Sequence, residues 1–252
     1  MLIGRGTFQV VDEEFDAFRS GEFISQKKDK FFSALSGKIS EFMGVSACMF
    51  GKISVVLLAS GKSSRMPLGN KLFLPLGGKK VIQWSLERLC SFDFFEVIVV
   101  LDREAEFLRE TIGHYPLTIV ENDSASLGMG RSIALGVTAL SKNIERILIC
   151  LADMPFISLD TYKKMAAYSI SHKSVGIIRP EYKGRSGHPV LFSKKYKKCL
   201  QTLGNSLGAK SVIGNHKEDI EFVAVDDPYI LFDIDTVENF QQAKKICLTQ
   251  VN

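Results

Sequence analysis

The residues with the clearest capacity for chemistry form one run, Val55-Val56-Leu57-Leu58-Ala59-Ser60-Gly61-Lys62-Ser63-Ser64-Arg65-Met66, in which an apolar strand gives way to a small-residue, donor-rich loop. Small side chains let backbone N–H groups approach an anion closely, and Lys62, Ser63, Ser64 and Arg65 add side-chain donors and positive charge. That chemistry is phosphate binding. A further cation, Lys71, follows in Gly69-Asn70-Lys71-Leu72-Phe73-Leu74-Pro75-Leu76-Gly77-Gly78, and two fixed cations beside one loop suit a triphosphate. Tight strand-to-helix turns use the same small residues for steric reasons alone, and a lone lysine is most often a solvated surface charge. The loop therefore gains its weight from what else converges on it.

Carboxylates supply that convergence. Asp153 ends the run Ile147-Leu148-Ile149-Cys150-Leu151-Ala152-Asp153, and Asp233 and Asp235 lie in Phe232-Asp233-Ile234-Asp235-Thr236. An acid at the end of a buried strand reaches the same crevice as the loop after Leu58. In an extended segment, Asp233 and Asp235 point to one face and Ile234 to the other. The competing role is helix capping, with Thr236 or Asp235 as N-cap. Three carboxylates beside a cationic phosphate loop point to Mg²⁺, which takes one or two protein carboxylates and completes its octahedron with water and phosphate oxygens.

Two nucleotide-binding alternatives fail on spacing. Gly61-Lys62-Ser63 looks like the end of a Walker A loop, but the position that needs the first glycine is Val56, inside the apolar run. Gly128-Met129-Gly130 follows a polar stretch and has Ile133 where a dinucleotide fingerprint needs its third glycine. Cys48, Cys90, Cys150, Cys199 and Cys247 are widely separated, as are His114, His172, His188 and His216, so no zinc or redox spacing is present. Reduced thiols are expected.

The elements that must position these residues alternate. Ile53–Leu58, Glu96–Leu101, Leu117–Glu121, Ile147–Leu151, Val175–Arg179 and Glu221–Val225 read as strands, with helices over Lys80–Cys90, Gly130–Leu140 and Ser158–Tyr168, the last opened by a capping serine. Strand–helix alternation implies right-handed crossovers and an α/β, doubly wound, mainly parallel sheet. Such sheets bind ligands beyond the carboxyl ends of their strands, where Ser60, Asp153 and the loop lie. Residues 1–52 break the pattern with 8 of the 18 phenylalanines. Phe31, Leu35, Ile39 and Phe42 recur at helical spacing, so 1–52 is expected to be a helical N-terminal extension to the domain 53–252. It either packs on its own domain or docks a partner.

The 252 residues, 46% hydrophobic and 24% charged, exclude wholesale disorder and a disulfide miniprotein. A net charge of +4 is too small for a chain that lives on nucleic acid. No apolar run approaches the ~20 residues of a spanning helix, and no signal peptide opens the sequence, so neither nucleic acid nor a membrane is an expected partner and the expected location is cytoplasmic.

Taken in order, these motifs resemble the molybdenum-cofactor nucleotidyltransferases, particularly their molybdopterin cytidylyltransferase-like branch, over about Ile53 to Lys245. The resemblance rests on the loop Leu58 to Met66, Asn70-Lys71-Leu72, Asn122 with Gly128-Met129-Gly130-Arg131-Ser132, Asp153-Met154-Pro155, Gly184-Arg185-Ser186-Gly187-His188-Pro189, and Asp233-Ile234-Asp235-Thr236. Guanylyltransferases and the cytidylyltransferases of sugar or isoprenoid phosphates share the first loop and the acid.

The resemblance implies a nucleotide-diphospho-sugar-transferase-like fold and a Mg²⁺-dependent transfer of CMP from CTP to the terminal phosphate of molybdopterin, with release of pyrophosphate. Arg65, Lys71 and Asp153 would be catalytic. Leu58, Ala59, Ser60, Gly61, Ser64, Asn122, Gly128 and Ser132 would bind the nucleotide. His188 would border the acceptor, and Asp153, Asp233 and Asp235 would hold the metal. Ser60 stands where the family usually has Ala or Gly, and Pro67 where it usually has Gly. Alternatives are a GTP-dependent guanylyltransferase, a cytidylyltransferase of sugar or alcohol phosphates, and a non-catalytic cofactor carrier that docks a molybdoenzyme or chaperone through 1–52.

Overall fold

Seven consecutive buried residues make up β1 (Ile53–Ala59), whose side chains go alternately to two separate cores. The computed structural model describes residues 52–61, 66, 69–124, 128–204 and 208–250. The helix expected around Phe31 to Phe42 lies outside them, as do Arg65 and Ser64. The other strands are β2 (Pro75–Leu76), β3 (Lys79–Lys80), β4 (Glu96–Asp102), β5 (Thr118–Asn122), β6 (Arg146–Leu151), β7 (Ile177–Tyr182), β8 (Arg185–Ser186), β9 (Val190–Ser193) and β10 (Ile220–Ala224). The helices are α1 (Val81–Ser91), α2 (Glu106–Ile112), α3 (Met129–Ala139), α4 (Leu159–Ser171), α5 (Lys197–Gln201), α6 (Gly208–Asn215) and α7 (Val237–Gln250).

The main sheet runs β10-β7-β9-β6-β1-β4-β5, with β8 paired to β7 and β2–β3 forming a separate hairpin. β1 pairs in parallel with β4 and β6, β4 with β5, and β7 with β10. All six expected strands are present in this mainly parallel sheet. β9 was not expected, and it runs antiparallel to both β6 and β7. Its direction follows from the short connection: between β7 and β9 there is only the two-residue β8, too little chain for the crossover that a parallel neighbour requires.

Helices cover both faces. Val55 and Leu57 of β1 pack with Leu86 and Leu89 of α1, Met165 of α4 and Phe240 of α7. Val56 and Leu58 pack on the other side with Ile133 and Val137 of α3, Leu200 of α5 and Val212 of α6. Ser158 caps α4 as expected, its hydroxyl accepting from the Thr161 N–H at 3.2 Å. This double cover buries the strands on both faces and leaves their carboxyl ends as the open edge.

Candidate functional site

At that edge, β6 and β1 end together. The Ala152 N–H donates to the Leu58 carbonyl at 3.1 Å, which carries the β1–β6 pairing into the residue before Asp153. The segment carrying the other two acids is fixed separately. Asp227, 4% exposed, accepts from the Ser158 N–H and the Thr161 hydroxyl at 2.8 and 2.7 Å, and from the Tyr229 N–H at 3.0 Å, pinning the turn Pro228–Leu231 to the start of α4. From there Ile234 enters the core fully buried, and its N–H donates to the Asp153 carbonyl at 2.9 Å. With Ile234 inward, Asp233 and Asp235 turn outward beside Asp153.

The three carboxylates each offer an oxygen within 4.8 Å of the others. Lys71 reaches them from a short turn, Lys71–Phe73, shaped by Asn70, whose Oδ1 accepts from the Leu72 N–H at 3.0 Å. The Lys71 Nζ lies 2.5 Å from Oδ2 of Asp153 and 2.5 Å from Oδ1 of Asp235. Burial pulls the ammonium pKa down, but the Asp153 and Asp235 charges outweigh it and hold the group above the usual lysine value. Burial also raises the Asp153 carboxyl above its usual range, against the pull of Lys71 and with the push of Asp233 and Asp235.

Oδ1 of Asp153 is buried and has no hydrogen-bond partner among the described residues. An orphaned buried carboxylate oxygen, beside two more acids and with no histidine or cysteine in the group, fits a hard, oxygen-seeking divalent cation. Thr236, not an acid, caps α7, its hydroxyl accepting from the Asn239 N–H at 3.2 Å.

The cleft beside these acids is lined by Leu58, Ala59, Ser60, Gly61, Lys71, Leu72, Gly128, Met129, Ser132, Leu151 and Asp153. Its far wall is a buried hydrogen-bond chain. Nδ2 of Asn122 donates to the Ser132 hydroxyl at 2.9 Å, and Ser132 and Ser60 share a hydrogen bond at 2.7 Å. The Ser124 N–H donates to Oδ1 of Asn122 at 3.0 Å, which fixes the amide orientation. Asn122 is fully buried and does not line the cleft, so it acts through Ser132. Gly128, at φ +116°, opens α3 at the cleft wall with a backbone that side chains rarely adopt.

The sequence reading did not single out Met129 or Leu151. Met129 stands between the two glycines of its motif and is 51% exposed, a signal that was available. His188 lies outside the cleft, on the other side of β6. Its N–H donates to the Ile230 carbonyl at 3.0 Å, and burial, with the charges of Arg179 and Lys210, lowers its imidazole pKa to about 4. Among the described residues no helix is long and apolar enough to cross a membrane.

Residues 55–220 match the MobA-like NTP transferase domain. The chain is 28% identical to nicotine blue oxidoreductase of Paenarthrobacter nicotinovorans, over 74% of this chain and 93% of that protein. It is 26% identical to the molybdenum cofactor cytidylyltransferase of Escherichia coli, over 77% of this chain and 96% of that one. Among solved structures, the Rv0371c homologue from Mycobacterium sp. strain JC1 superposes with a TM-score of 0.71 at 25% identity, covering 79% of this chain and 98% of that one.

Proposed function

Because the chain belongs to the MobA-like NTP transferase domain family, and is a nucleotidyltransferase of that kind, we propose that it transfers CMP from CTP to the terminal phosphate of molybdopterin and releases pyrophosphate. The observation that carries this reading is the gathering of Asp153, Asp233 and Asp235 around the Lys71 ammonium at the edge of a cleft walled by a glycine-opened helix. The likeness to the Escherichia coli cytidylyltransferase supports the choice of base and acceptor. An oxygen of the acceptor phosphate forms a bond to the α-phosphorus of CTP. The bond from that phosphorus to the bridging oxygen breaks, and its electron pair leaves with pyrophosphate.

The acceptor phosphate is already an anion, so no strong general base is required, and the protein's task is alignment and charge neutralisation. Lys71 and Arg65 bring positive charge to the triphosphate. Asp153, Asp233 and Asp235 would hold Mg²⁺, which when bound offsets charge on the phosphoryl oxygens. Ser60, Gly61, Gly128 and Ser132, with Leu58 and Ala59, wall the side that takes base and ribose. Pyrophosphate release, measured with each of the four NTPs with and without molybdopterin, tests the reading. Release with another phosphorylated acceptor and none with molybdopterin replaces the acceptor by a sugar or alcohol phosphate. No release under any condition, with nucleotide still bound, replaces the enzyme by a cofactor carrier.

A further inference from the structure

The turn that carries Asp153 is held from behind by one helix. Residues 152–155 follow β6 and belong to no strand, so their carbonyls must find donors elsewhere. The Asp153 carbonyl takes the Ile234 N–H. The other three go to α1, 67 to 69 residues earlier in the chain. The Ser85 hydroxyl donates to the carbonyls of Ala152 and Met154 at 3.4 and 3.5 Å, and Nη1 of Arg88 donates to that of Pro155 at 2.5 Å.

A serine hydroxyl has one hydrogen, so the two long contacts of buried Ser85 are a single three-centre bond that straddles Asp153. Arg88 is the more costly choice. It is half-buried and makes no ion pair among the described residues, and burial lowers its pKa below the usual arginine value. A desolvated guanidinium aimed at a neutral carbonyl is expensive, and an apolar side chain would cover the same surface. What the guanidinium adds is direction. It lies 5.4 Å from the centroid of the Trp84 ring and donates to the Trp84 carbonyl at 3.1 Å. Trp84 is fixed in turn by the bond from its Nε1 to the Leu76 carbonyl at 2.9 Å and by its edge contact with Phe156.

Asp153 depends on that direction. Its Oδ2 meets Lys71, but Oδ1 has no hydrogen-bond partner among the described residues, so the placement of that oxygen follows from the backbone of the turn. Mg²⁺ demands near-ideal octahedral geometry, and a site loosened by a fraction of an ångström loses function. We propose that Ser85 and Arg88 are positioning residues for the metal site: by fixing the carbonyls on either side of Asp153, they aim its carboxylate at the point it shares with Asp233 and Asp235. The inference rests on the nucleotidyltransferase reading above and deepens it by assigning the helix that sets the affinity for the cation.

Mn²⁺ alone is the probe, a hard cation with the same preference for oxygen. It is titrated into the full-length protein and followed by the electron paramagnetic resonance of the free ion, with thermal unfolding of the metal-free protein in parallel. Ser85→Ala and Arg88→Met should each bind Mn²⁺ about tenfold more weakly, the lower end of the loss usual when a group that orients a metal ligand is removed. Arg88→Lys, which keeps a donor for the Pro155 carbonyl, should regain most of the affinity. A structural role alone would lower the unfolding midpoint and leave the Mn²⁺ affinity where it is. Ser85→Ala removes a single oxygen atom, so it keeps the test decisive if Arg88→Met folds poorly. Wild-type Mn²⁺ affinity in Ser85→Ala, or an Arg88→Lys protein as weak as Arg88→Met, would overturn the assignment. A wild type that binds no Mn²⁺ would instead overturn the metal site itself, and the inference with it.

Discussion

The N–H of Ile234 donates to the carbonyl of Asp153 across 2.9 Å, and this one backbone bond sets an acid from the middle of the domain beside two from near its C-terminal end. It brings the segment after the Pro228–Leu231 turn to the end of β6, so the alternation of an extended chain turns Asp233 and Asp235 toward Asp153 while Ile234 anchors in the core.

The position of that segment should depend on Gly187. A Cβ there would meet the Ile230 carbonyl oxygen at 2.1 Å, so Gly187→Ala must push the turn that precedes the two acids. A loss of about 1–3 kcal/mol is expected for such overpacking, together with a higher Mg²⁺ concentration for half-maximal activity. Thermal unfolding and a metal titration check it; a destabilised variant with an unchanged metal requirement would uncouple the turn from the acids.

Asp153→Asn should lower turnover by about 10²-fold or more at saturating metal, since the amide keeps the shape and loses the charge that neutralises phosphoryl transfer. The capping alternative predicts near-normal turnover, because Asn and Asp are comparable N-caps. In the structure the cap of α4 is Ser158. Turnover measured beside the unfolding midpoint separates the two.

Lys71 bridges Asp153 and Asp235. Lys71→Met leaves three carboxylates facing one another, so the unfolding midpoint without metal should fall. Added Mg²⁺ or Mn²⁺ should then stabilise the variant more than the wild type; at a hundred times its Kd a ligand adds about 2.7 kcal/mol. Equal metal-induced shifts in the two proteins would mean that Lys71 and the cation do not share these carboxylates.

Much of this arrangement was legible in the sequence, because six strands carry apolar runs long enough to count and Asp153 stands just after one of them; Asp233 and Asp235 instead follow the Pro228–Leu231 turn, not a strand end. β9 was not: Val190-Leu191-Phe192 is three apolar residues behind a proline, too short for any periodicity, and its direction depends on a connection length. α7 was missed because its buried positions, Phe240, Ala243 and Cys247, are spread thinly among polar residues. The burial of Asn122 behind Ser132 and the Lys71 bridge to Asp153 are tertiary facts. Sequence spacing brings neither pair together.

Asn122 should set the shape of the base pocket through Ser132 and Ser60, which line the cleft, without touching the base itself. CTP should bind about 10²-fold better than GTP, since a pocket closed by this wall excludes the larger purine and leaves its polar edge unpaired. Asn122→Ala should cost about 1–3 kcal/mol of stability by leaving Ser132 short of a buried donor, and should weaken both nucleotides together. Competition binding decides it; GTP binding as tightly as CTP removes the base assignment.

His188 predicts a pH signature. Its folded pKa of about 4 lies below the ordinary 6.5, so between these values the unfolded chain binds a proton that the folded protein does not. Stability should therefore rise with pH through that window and be lost as pH falls through it, by at most about 1.4 kcal/mol per pH unit from this group. Removing the imidazole in His188→Asn should flatten the wild-type slope between pH 4 and 6.5 and leave the slope above the window unchanged. Denaturant unfolding of both proteins at several pH values measures the difference. Parallel curves through the window would show that the imidazole takes up its proton as readily in the folded protein as in the unfolded chain, and that the burial and the Arg179 and Lys210 charges do not hold it neutral.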